Sequence, residues 1–183
     1  MAVFKLNVSD LPDIIPEIRC GDRVYLSGII YTARDAAHKK ICALLEQSLP
    51  LPFDLKNACI YYAGPTPEPP GRPIGSCGPT TSSRMDVFTP TLMDNGLIAM
   101  IGKGPRSERV TQSIIKHKGI YFCAIGGAGA LAAMSVKSFE VIAFPELGCE
   151  SVKRVEISEF PLLCGIDCYG KNIFYKGDNH DEN

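Results

Sequence analysis

The residues best suited to chemistry lie close together in residues 75–86, which read GSCGPTTSSRMD. Four consecutive hydroxyl residues precede Arg84 in this stretch. An arginine can hold a carboxylate or phosphate through two parallel hydrogen bonds, and a hydroxyl from Thr80 or Thr81 beside it can move a proton. The stretch therefore predicts an anion site, with an ordinary capped turn and a surface arginine as the alternative.

The backbone around this stretch also suits a binding loop. Residues 61–74 (YYAGPTPEPPGRPI) are too rich in proline and glycine for a helix or a central strand, and repeated proline favours a stiff path. We expect Ser82 or Ser83 to cap a helix that begins near Arg84, so that its free N–H groups face the anion. A long, rigid loop that ends at a helix N-terminus is typical of a binding loop.

Arg34 is a second candidate ligand-binding cation. A predicted strand at residues 23–30 precedes a helix for which Thr32 is the expected N-cap, and this places Arg34 in the first helical turn. A strand-to-helix junction holds its side chains rigidly, which favours ligand contacts. A solvated arginine paired with a nearby acid is the alternative. His38 lies four residues further on, and we expect a structural histidine there.

Lys103 is the third candidate cation, since it stands between two glycines at the end of an apolar strand predicted at residues 97–101. A plain turn is the alternative. The other predicted elements are both strands and helices. Strands are predicted at 3–7, 58–63, 120–125, 138–144, 152–157 and 162–167, and helices at 89–94, 107–117 and from Gly126 onward.

Length and charge bound the class of protein. A chain of 183 residues suggests one domain, which we place at residues 1–175 with a polar, disordered tail at 176–183. The net charge of −1 gives no reason to expect nucleic acid as a partner. With neither a signal peptide nor an apolar run long enough for a bilayer, we expect a soluble, cytoplasmic protein without a membrane partner.

The eight cysteines are scattered, without a C-x-x-C pair or paired histidine ligands. We expect reduced, mostly structural thiols and no metal site on this chain. Cys164 and Cys168 share a C-x-x-x-C spacing that is weak evidence for a cluster. Cys77 lies within the candidate site loop, and its role stays open.

A nucleotide site is a competing interpretation. Gly127, Gly129 and Ala132 follow a predicted strand with the spacing of a dinucleotide fingerprint, and Glu146 follows at the distance expected of a ribose-binding acid. The chain then continues into β-rich segments instead of further strand–helix units. The small residues are better explained by close packing of a helix on the sheet.

Several blocks of sequence, in order, resemble the beta region of the class I, iron–sulfur-dependent fumarases and L-tartrate dehydratases. The resemblance runs from about Arg23 to about Tyr175, and only the set of blocks together is specific. The blocks are GIIYTARDAAHK (28–39), YAGPTP (62–67), GPTTSSRMD (78–86), IGKG (101–104), AIGGA (124–128) and VEISEFP (155–161).

The resemblance implies an α/β fold, a swivelling β/β/α domain with a mixed β-sheet core flanked by helices. In that family the domain closes over a [4Fe–4S] cluster carried by a separate alpha subunit or by an N-terminal half. The resemblance further implies a hydro-lyase that reversibly adds water across the double bond of a C4 dicarboxylate such as fumarate. Residue by residue, it makes Arg34, Arg84 and Lys103 the cations that bind the substrate carboxylates. It makes Thr80 the hydroxyl that takes or gives the proton at carbon.

The alpha half of such enzymes and its cluster ligands are not recognisable in this sequence. We therefore expect activity only with an alpha subunit, in a hetero-oligomer of two alpha and two beta chains. An L-tartrate dehydratase beta subunit is the alternative enzyme, and the sequence does not separate the two substrates. A non-catalytic scaffold is a third possibility, against which the intact Arg34, Thr80, Arg84 and Lys103 count.

Overall fold

The computed structural model of the chain describes residues 1–66, 74–124 and 129–175. The predicted tail at 176–183, part of the proline-rich loop and Gly127 of the nucleotide fingerprint lie outside these ranges. The strands are β1 (Val3–Asn7), β2 (Arg23–Thr32), β3 (Cys59–Tyr61), β4 (Ala99–Gly102), β5 (Ile120–Ala124), β6 (Val136–Ala143) and β7 (Val152–Ile166).

Five α-helices are found in the described ranges, together with four short 3-10 helices. The α-helices are α1 (Leu11–Ile14), α2 (Asp35–Glu46), α3 (Thr89–Asp94), α4 (Glu108–His117) and α5 (Gly129–Ser135). The 3-10 helices are Val8–Asp10, Ile15–Glu17, Ser82–Met85 and Pro145–Glu150. No helix in the described part of the chain is both long and apolar enough to cross a membrane.

The sheet is mixed, and five of its strands close into a ring. Strands β2, β3, β4 and β5 pair in parallel, in that order. The long β7 is antiparallel to β5 on one side and to β2 on the other, which completes the ring. β1 and β6 extend it at β2 and β7. The predicted α/β class with a mixed sheet and flanking helices is confirmed.

Alternation along the strands divides the core into two layers. In β3, Cys59 and Tyr61 join the cluster to which all five ring strands contribute, whereas Ile60 joins a second cluster with helices α2, α3 and α4. Such period-2 alternation is what a strand with two buried faces requires. The helices therefore cover the outer face of the parallel strands and leave the carboxyl ends of those strands for other contacts.

Two expectations about these elements are wrong. Thr32 is not the cap of α2 but the last residue of β2, because it pairs with Lys153 of β7. The strands predicted at 152–157 and 162–167 form one strand, β7. The polar break between them is a β-bulge opposite β2, where the Glu159 N–H donates to Ser27 Oγ (2.9 Å).

A second bulge in β7 provides a test of the packing between β5 and β7. Gly165 is the extra residue between the paired Cys164 and Ile166, and a Cβ there would lie 2.6 Å from Cys123 Sγ. Gly165→Ala should lower the free energy of unfolding by about 1–3 kcal/mol in urea denaturation, because it overpacks this contact. Adding Cys123→Ala removes the sulfur and should recover most of the unfolding free energy that Gly165→Ala loses. An equal loss in both backgrounds would contradict this packing.

Candidate active site

The predicted site residues lie at the carboxyl edge of the parallel strands. Arg34 follows β2, Lys103 follows β4 directly, and the segment that carries Thr80 and Arg84 follows β3. The Thr80 N–H donates to the carbonyl of Tyr62, just after β3, at 2.7 Å. In α/β proteins, both open sheets and closed barrels, ligands bind beyond the carboxyl ends of the parallel strands. The topology thus brings three separate sequence segments to one edge.

Reciprocal hydrogen bonds clamp the Ser82 turn to Lys103. The Ser82 N–H donates to the Lys103 carbonyl (3.0 Å), and the Lys103 N–H donates to Ser82 Oγ (2.9 Å). The Tyr121 hydroxyl donates to the carbonyl of Gly104 and lies 2.9 Å from Ser82 Oγ. A Cβ at Gly102 would lie 1.9 Å from Ser82 Oγ, so only glycine fits there. The clamp fixes Lys103 relative to the Thr80–Arg84 segment.

The expectation that Ser82 or Ser83 caps a helix near Arg84 is wrong. The helix is the four-residue 3-10 turn Ser82–Met85, whose N-cap is Thr81 and makes no side-chain cap bond. The Ser82 hydroxyl instead accepts the Lys103 N–H, because this tertiary contact is within reach once β4 lies beside the turn. This turn offers no long helix dipole, so the predicted anion site rests on side chains alone.

Arg84 and Thr80 are adjacent, as the sequence predicted. Arg84 Nη1 donates to Thr80 Oγ1 over 3.4 Å, which is a long hydrogen bond. The other edge of the guanidinium binds Asp35, with Nε to Oδ1 at 2.9 Å and Nη2 to Oδ2 at 2.5 Å. A guanidinium beside a hydroxyl stabilises negative charge on that oxygen when it gives up a proton. The sequence analysis missed Asp35, whose partner is 49 residues away.

Arg34 is the more enclosed of the two arginines. It is the N-cap of α2 in extended conformation, not a residue of the first turn as predicted. Its Nη2 lies 3.1 Å from Glu150 Oε1, and Glu150 Oε2 accepts the N–H of Ala36, so that Glu150 caps the helix. A Cβ at Gly64 would lie 3.1 Å from the Arg34 side chain. Arg34 Nε is buried without a hydrogen-bond partner among the described residues.

A buried arginine that the sequence analysis missed supports the Ser82 turn. Arg106 is 2% exposed, and its Nε lies 2.6 Å from Asp86 Oδ1, directly after the turn. Its Nη2 donates to Thr89 Oγ1 (2.7 Å), and the guanidinium lies over the rings of Tyr62 and Tyr121. No local pattern marks this residue, because its acidic partner is 20 residues away.

His38 anchors the backbone of Arg34 and is fully buried. Its Nδ1 lies 2.8 Å from the Arg34 carbonyl, which can only accept, so Nδ1 carries the proton. Burial lowers the pKa of His38 to about 4, so the ring is neutral near pH 7. Nε2 has no hydrogen-bond partner within the described ranges. The structural role expected for His38 fits this setting.

The cysteines are all free thiols, and Cys77 in the site loop is buried. Burial raises the pKa of the Cys77 thiol to about 12 and that of Cys123 to about 11, which disfavours the thiolate that binds metals. Within residues 1–66, 74–124 and 129–175, no three His, Cys, Asp or Glu side chains come together to hold a metal ion.

The structure gives the residues of the nucleotide interpretation other contacts. Glu146, the expected ribose-binding acid, pairs with Lys40 of α2. Gly129 packs against the site loop, where the Cys77 N–H donates to its carbonyl (3.2 Å) and a Cβ would lie 2.4 Å from Ser76 Oγ. Ala132 belongs to the core cluster of the ring strands, which supports the predicted packing of this helix on the sheet, whereas Gly129 packs against the site loop. Gly127 lies outside the described residues.

Comparison with known proteins matches the sequence of this chain to a family. The chain matches the family model described as Fumarase C-terminus over residues 2–177. It is 42% identical over 154 residues to the anaerobic class I fumarate hydratase of Escherichia coli (strain K12), covering 83% of this chain and 28% of that protein. Fumarate hydratase 2 of Leishmania major is 41% identical over 158 residues, or 85% of this chain and 28% of that protein.

A shorter relative matches over most of its length. The L(+)-tartrate dehydratase subunit beta of Escherichia coli (strain K12) is 34% identical over 173 residues, which are 92% of this chain and 83% of that subunit. The chain therefore spans less than a third of each of the two fumarate hydratases but most of a separate beta subunit.

Arg106 should be essential to the stability of the site. Arg106→Met leaves the Asp86 carboxylate largely buried and unpaired, and should lower the free energy of unfolding by about 3–5 kcal/mol. Arg109→Met, which changes an exposed arginine of α4, is the matched control and should change it by less than about 0.5 kcal/mol. Similar urea midpoints for the two variants would contradict the importance of the buried pair.

His38 should make stability depend on acid pH. Because its pKa falls from 6.5 in the unfolded chain to about 4 in the folded one, its stabilising contribution is present above pH 6.5 and is lost as the pH falls to 4. Over this range the wild type should lose about 3 kcal/mol more unfolding free energy than His38→Asn, which keeps a donor for the Arg34 carbonyl but does not titrate. Parallel stability–pH curves for the two proteins would show that His38 is not held neutral by burial.

Proposed function

The chain belongs to the Fumarase C-terminus family, and on that premise we propose that it is the beta half of a hydro-lyase that reversibly hydrates fumarate to malate. The observation that carries the proposal is the pairing of Arg84 Nη1 with Thr80 Oγ1 at the carboxyl edge of the parallel strands. The pairing supports the proposal because addition of water to an unsaturated diacid requires a cation for the carboxylate beside a hydroxyl that can move a proton.

In this proposal, three cations bind the dianionic substrate. Lys103 is joined to the Ser82 turn by the clamp, Arg84 lies in that turn, and both residues are exposed. Arg34 follows the neighbouring strand and keeps a buried Nε without a partner among the residues described. Fixed donors of this kind stabilise the negative charge that develops on a carboxylate when a proton leaves the adjacent carbon.

Thr80 acts in proton transfer. In the hydration direction, the oxygen of a water molecule adds to one alkene carbon as a hydroxyl group, and Thr80 Oγ1 gives its proton to the other carbon. The proton that the water loses returns Thr80 to its hydroxyl form. In dehydration the same oxygen takes that proton back. Threonine is a poor base at its ordinary pKa, so it needs activation. Arg84 supplies part of it by stabilising negative charge on Oγ1, and we assign the rest to a group of the partner chain.

A [4Fe–4S] cluster and an alpha subunit complete the proposed enzyme. The described residues do not fit a cluster, since they bring no three metal-ligating side chains together, so no step on this chain runs through one. The relation to a tartrate dehydratase subunit beta supports a separate alpha chain. An assembly of two alpha and two beta chains is part of the proposal. Closure of this domain over the partner by swivelling, and a cytoplasmic location, are part of the same proposal.

L-tartrate dehydration is the second candidate function. The chain covers 83% of a tartrate dehydratase subunit beta, but only 28% of two related fumarate hydratases. Both reactions act on C4 dicarboxylates, so the same cations and the same hydroxyl would serve either one.

Anaerobic reconstitution with an alpha-type chain and an intact cluster tests the proposal. The complex should hydrate fumarate, which is measured as a fall in the ultraviolet absorbance of fumarate. Neither chain should hydrate fumarate alone. Turnover of L-tartrate but not fumarate would establish the second candidate instead. A well-formed complex that acts on neither diacid would contradict the proposed function.

Substitution of Thr80 tests the site within that complex. Thr80→Val keeps the shape of the side chain but removes the hydroxyl, and should lower kcat by about 10²–10⁴ because general acid–base catalysis is lost. Thr81→Val is the matched comparison, since the exposed Thr81 side chain has the same size. It should keep most of the activity. Equal kcat values for the two variants would contradict the assignment of the proton to Thr80.

A further inference from the structure

The guanidinium of Arg84 has two edges, and one carboxylate of this chain occupies only one of them. Asp35 accepts from Nε (2.9 Å) and Nη2 (2.5 Å), the two donors on the side edge of the group. Nη1 points to Thr80 Oγ1. An arginine has five N–H donors, so the end edge formed by Nη1 and Nη2 still has donors for a second carboxylate.

Asp35 is held more firmly than Arg84. It is the first residue of α2, where a negative charge is favoured by the helix dipole. The start of α2 is tied down on both sides, by the His38 contacts with the Arg34 carbonyl and by Glu150, which accepts the Ala36 N–H. Arg84, in contrast, lies on a four-residue 3-10 turn with its side chain 47% exposed. A long exposed side chain there loses its fixed direction without a partner.

We propose that Asp35 is a positioning residue for the reaction: it holds Arg84 by the side edge so that the end edge faces the substrate carboxylate beside Thr80. This inference rests on the proposed function. Asp35 does not touch the substrate and acts only through Arg84. A carboxylate on the end edge lies next to Thr80 Oγ1, which brings the proton-transfer atom close to the carbon chain of the same substrate.

The opposite role is a competitor, in which Asp35 must leave Arg84 before the substrate binds. The two roles predict opposite changes in KM when Asp35 is removed. If Asp35 competes, its removal frees the guanidinium and lowers KM for the diacid. If Asp35 positions Arg84, its removal raises KM, although it also removes a negative charge near a dianionic substrate. The free donors on the end edge favour positioning, because the substrate has no need to displace Asp35.

Kinetics of the reconstituted complex decide between them. Asp35→Ala should raise KM for fumarate about 10-fold and lower kcat by less than about threefold, and Asp35→Asn should have a smaller effect on KM. Glu159→Gln is the matched control. Glu159 is also an exposed carboxylate in an ion pair, with Lys5 at 2.8 Å, and should leave both constants unchanged. Thermal stability should be nearly equal in all variants, because exposed ion pairs contribute little to it.

A double-mutant cycle shows whether Asp35 acts through Arg84. In an Arg84→Ala background, Asp35→Ala should have no further effect on kcat/KM, because the group that it positions is gone. If each substitution instead lowered kcat/KM by the same factor with or without the other, the inference would be overturned. A lower or unchanged KM in Asp35→Ala when the wild-type complex is active would also overturn it. An inactive wild-type complex would instead contradict the proposed function, and with it any role of Asp35 in that reaction.

A measurement on the chain itself tests the contact without any activity. In ¹⁵N relaxation of arginine side chains, the Arg84 Nε–H vector should be rigid in the wild type and mobile in Asp35→Ala, which leaves Nε and Nη2 without their acceptor. Equal order parameters in both proteins would overturn the positioning role.

Discussion

The site depends on one clamp, the pair of hydrogen bonds that joins Ser82 to Lys103. These bonds hold a short turn against the end of β4, and they form only because Gly102 leaves room for the Ser82 hydroxyl. The turn carries Arg84 and lies next to Thr80 in sequence, so one contact sets the distance between residues from two segments. A site on rigid elements is more precise than one on a free loop.

Buried charged side chains stiffen the segments that carry the site residues. Arg106 lies behind the turn with Asp86, and the burial of such a pair costs free energy that is offset only if the hydrogen bonds are complete. Lys153 is similar, since its buried Nζ donates to the carbonyls of Gly148, Cys149 and Ser151. Burial lowers the pKa of Lys153, yet the ring of acceptors suits the ammonium form. Arg106 thus fixes the turn that carries Arg84, and Lys153 fixes the segment that carries Glu150, the partner of Arg34.

Local pattern was enough for much of the fold, because β1, β2, α3 and α4 follow from alternation, apolar spacing and caps within one segment. The errors arose where a distant segment decided the outcome. Thr32 stays in β2 because β7 pairs with it, and Ser82 bonds Lys103 instead of capping a helix. The three cations could be predicted from the sequence, because they are charged residues at the ends of predicted strands and helices. Their acidic partners could not, since Asp35 binds an arginine 49 residues away.

In the proposed enzyme this chain supplies half of the active site, with the cations and the proton-transfer hydroxyl. The most direct test is a crystal structure of the anaerobic complex with a bound C4 dicarboxylate. The account predicts ligand carboxylates within hydrogen-bond distance of Arg34, Arg84 and Lys103, with Thr80 Oγ1 facing a carbon of the ligand. A dicarboxylate bound elsewhere on the domain, with these side chains in contact only with the protein, would contradict it.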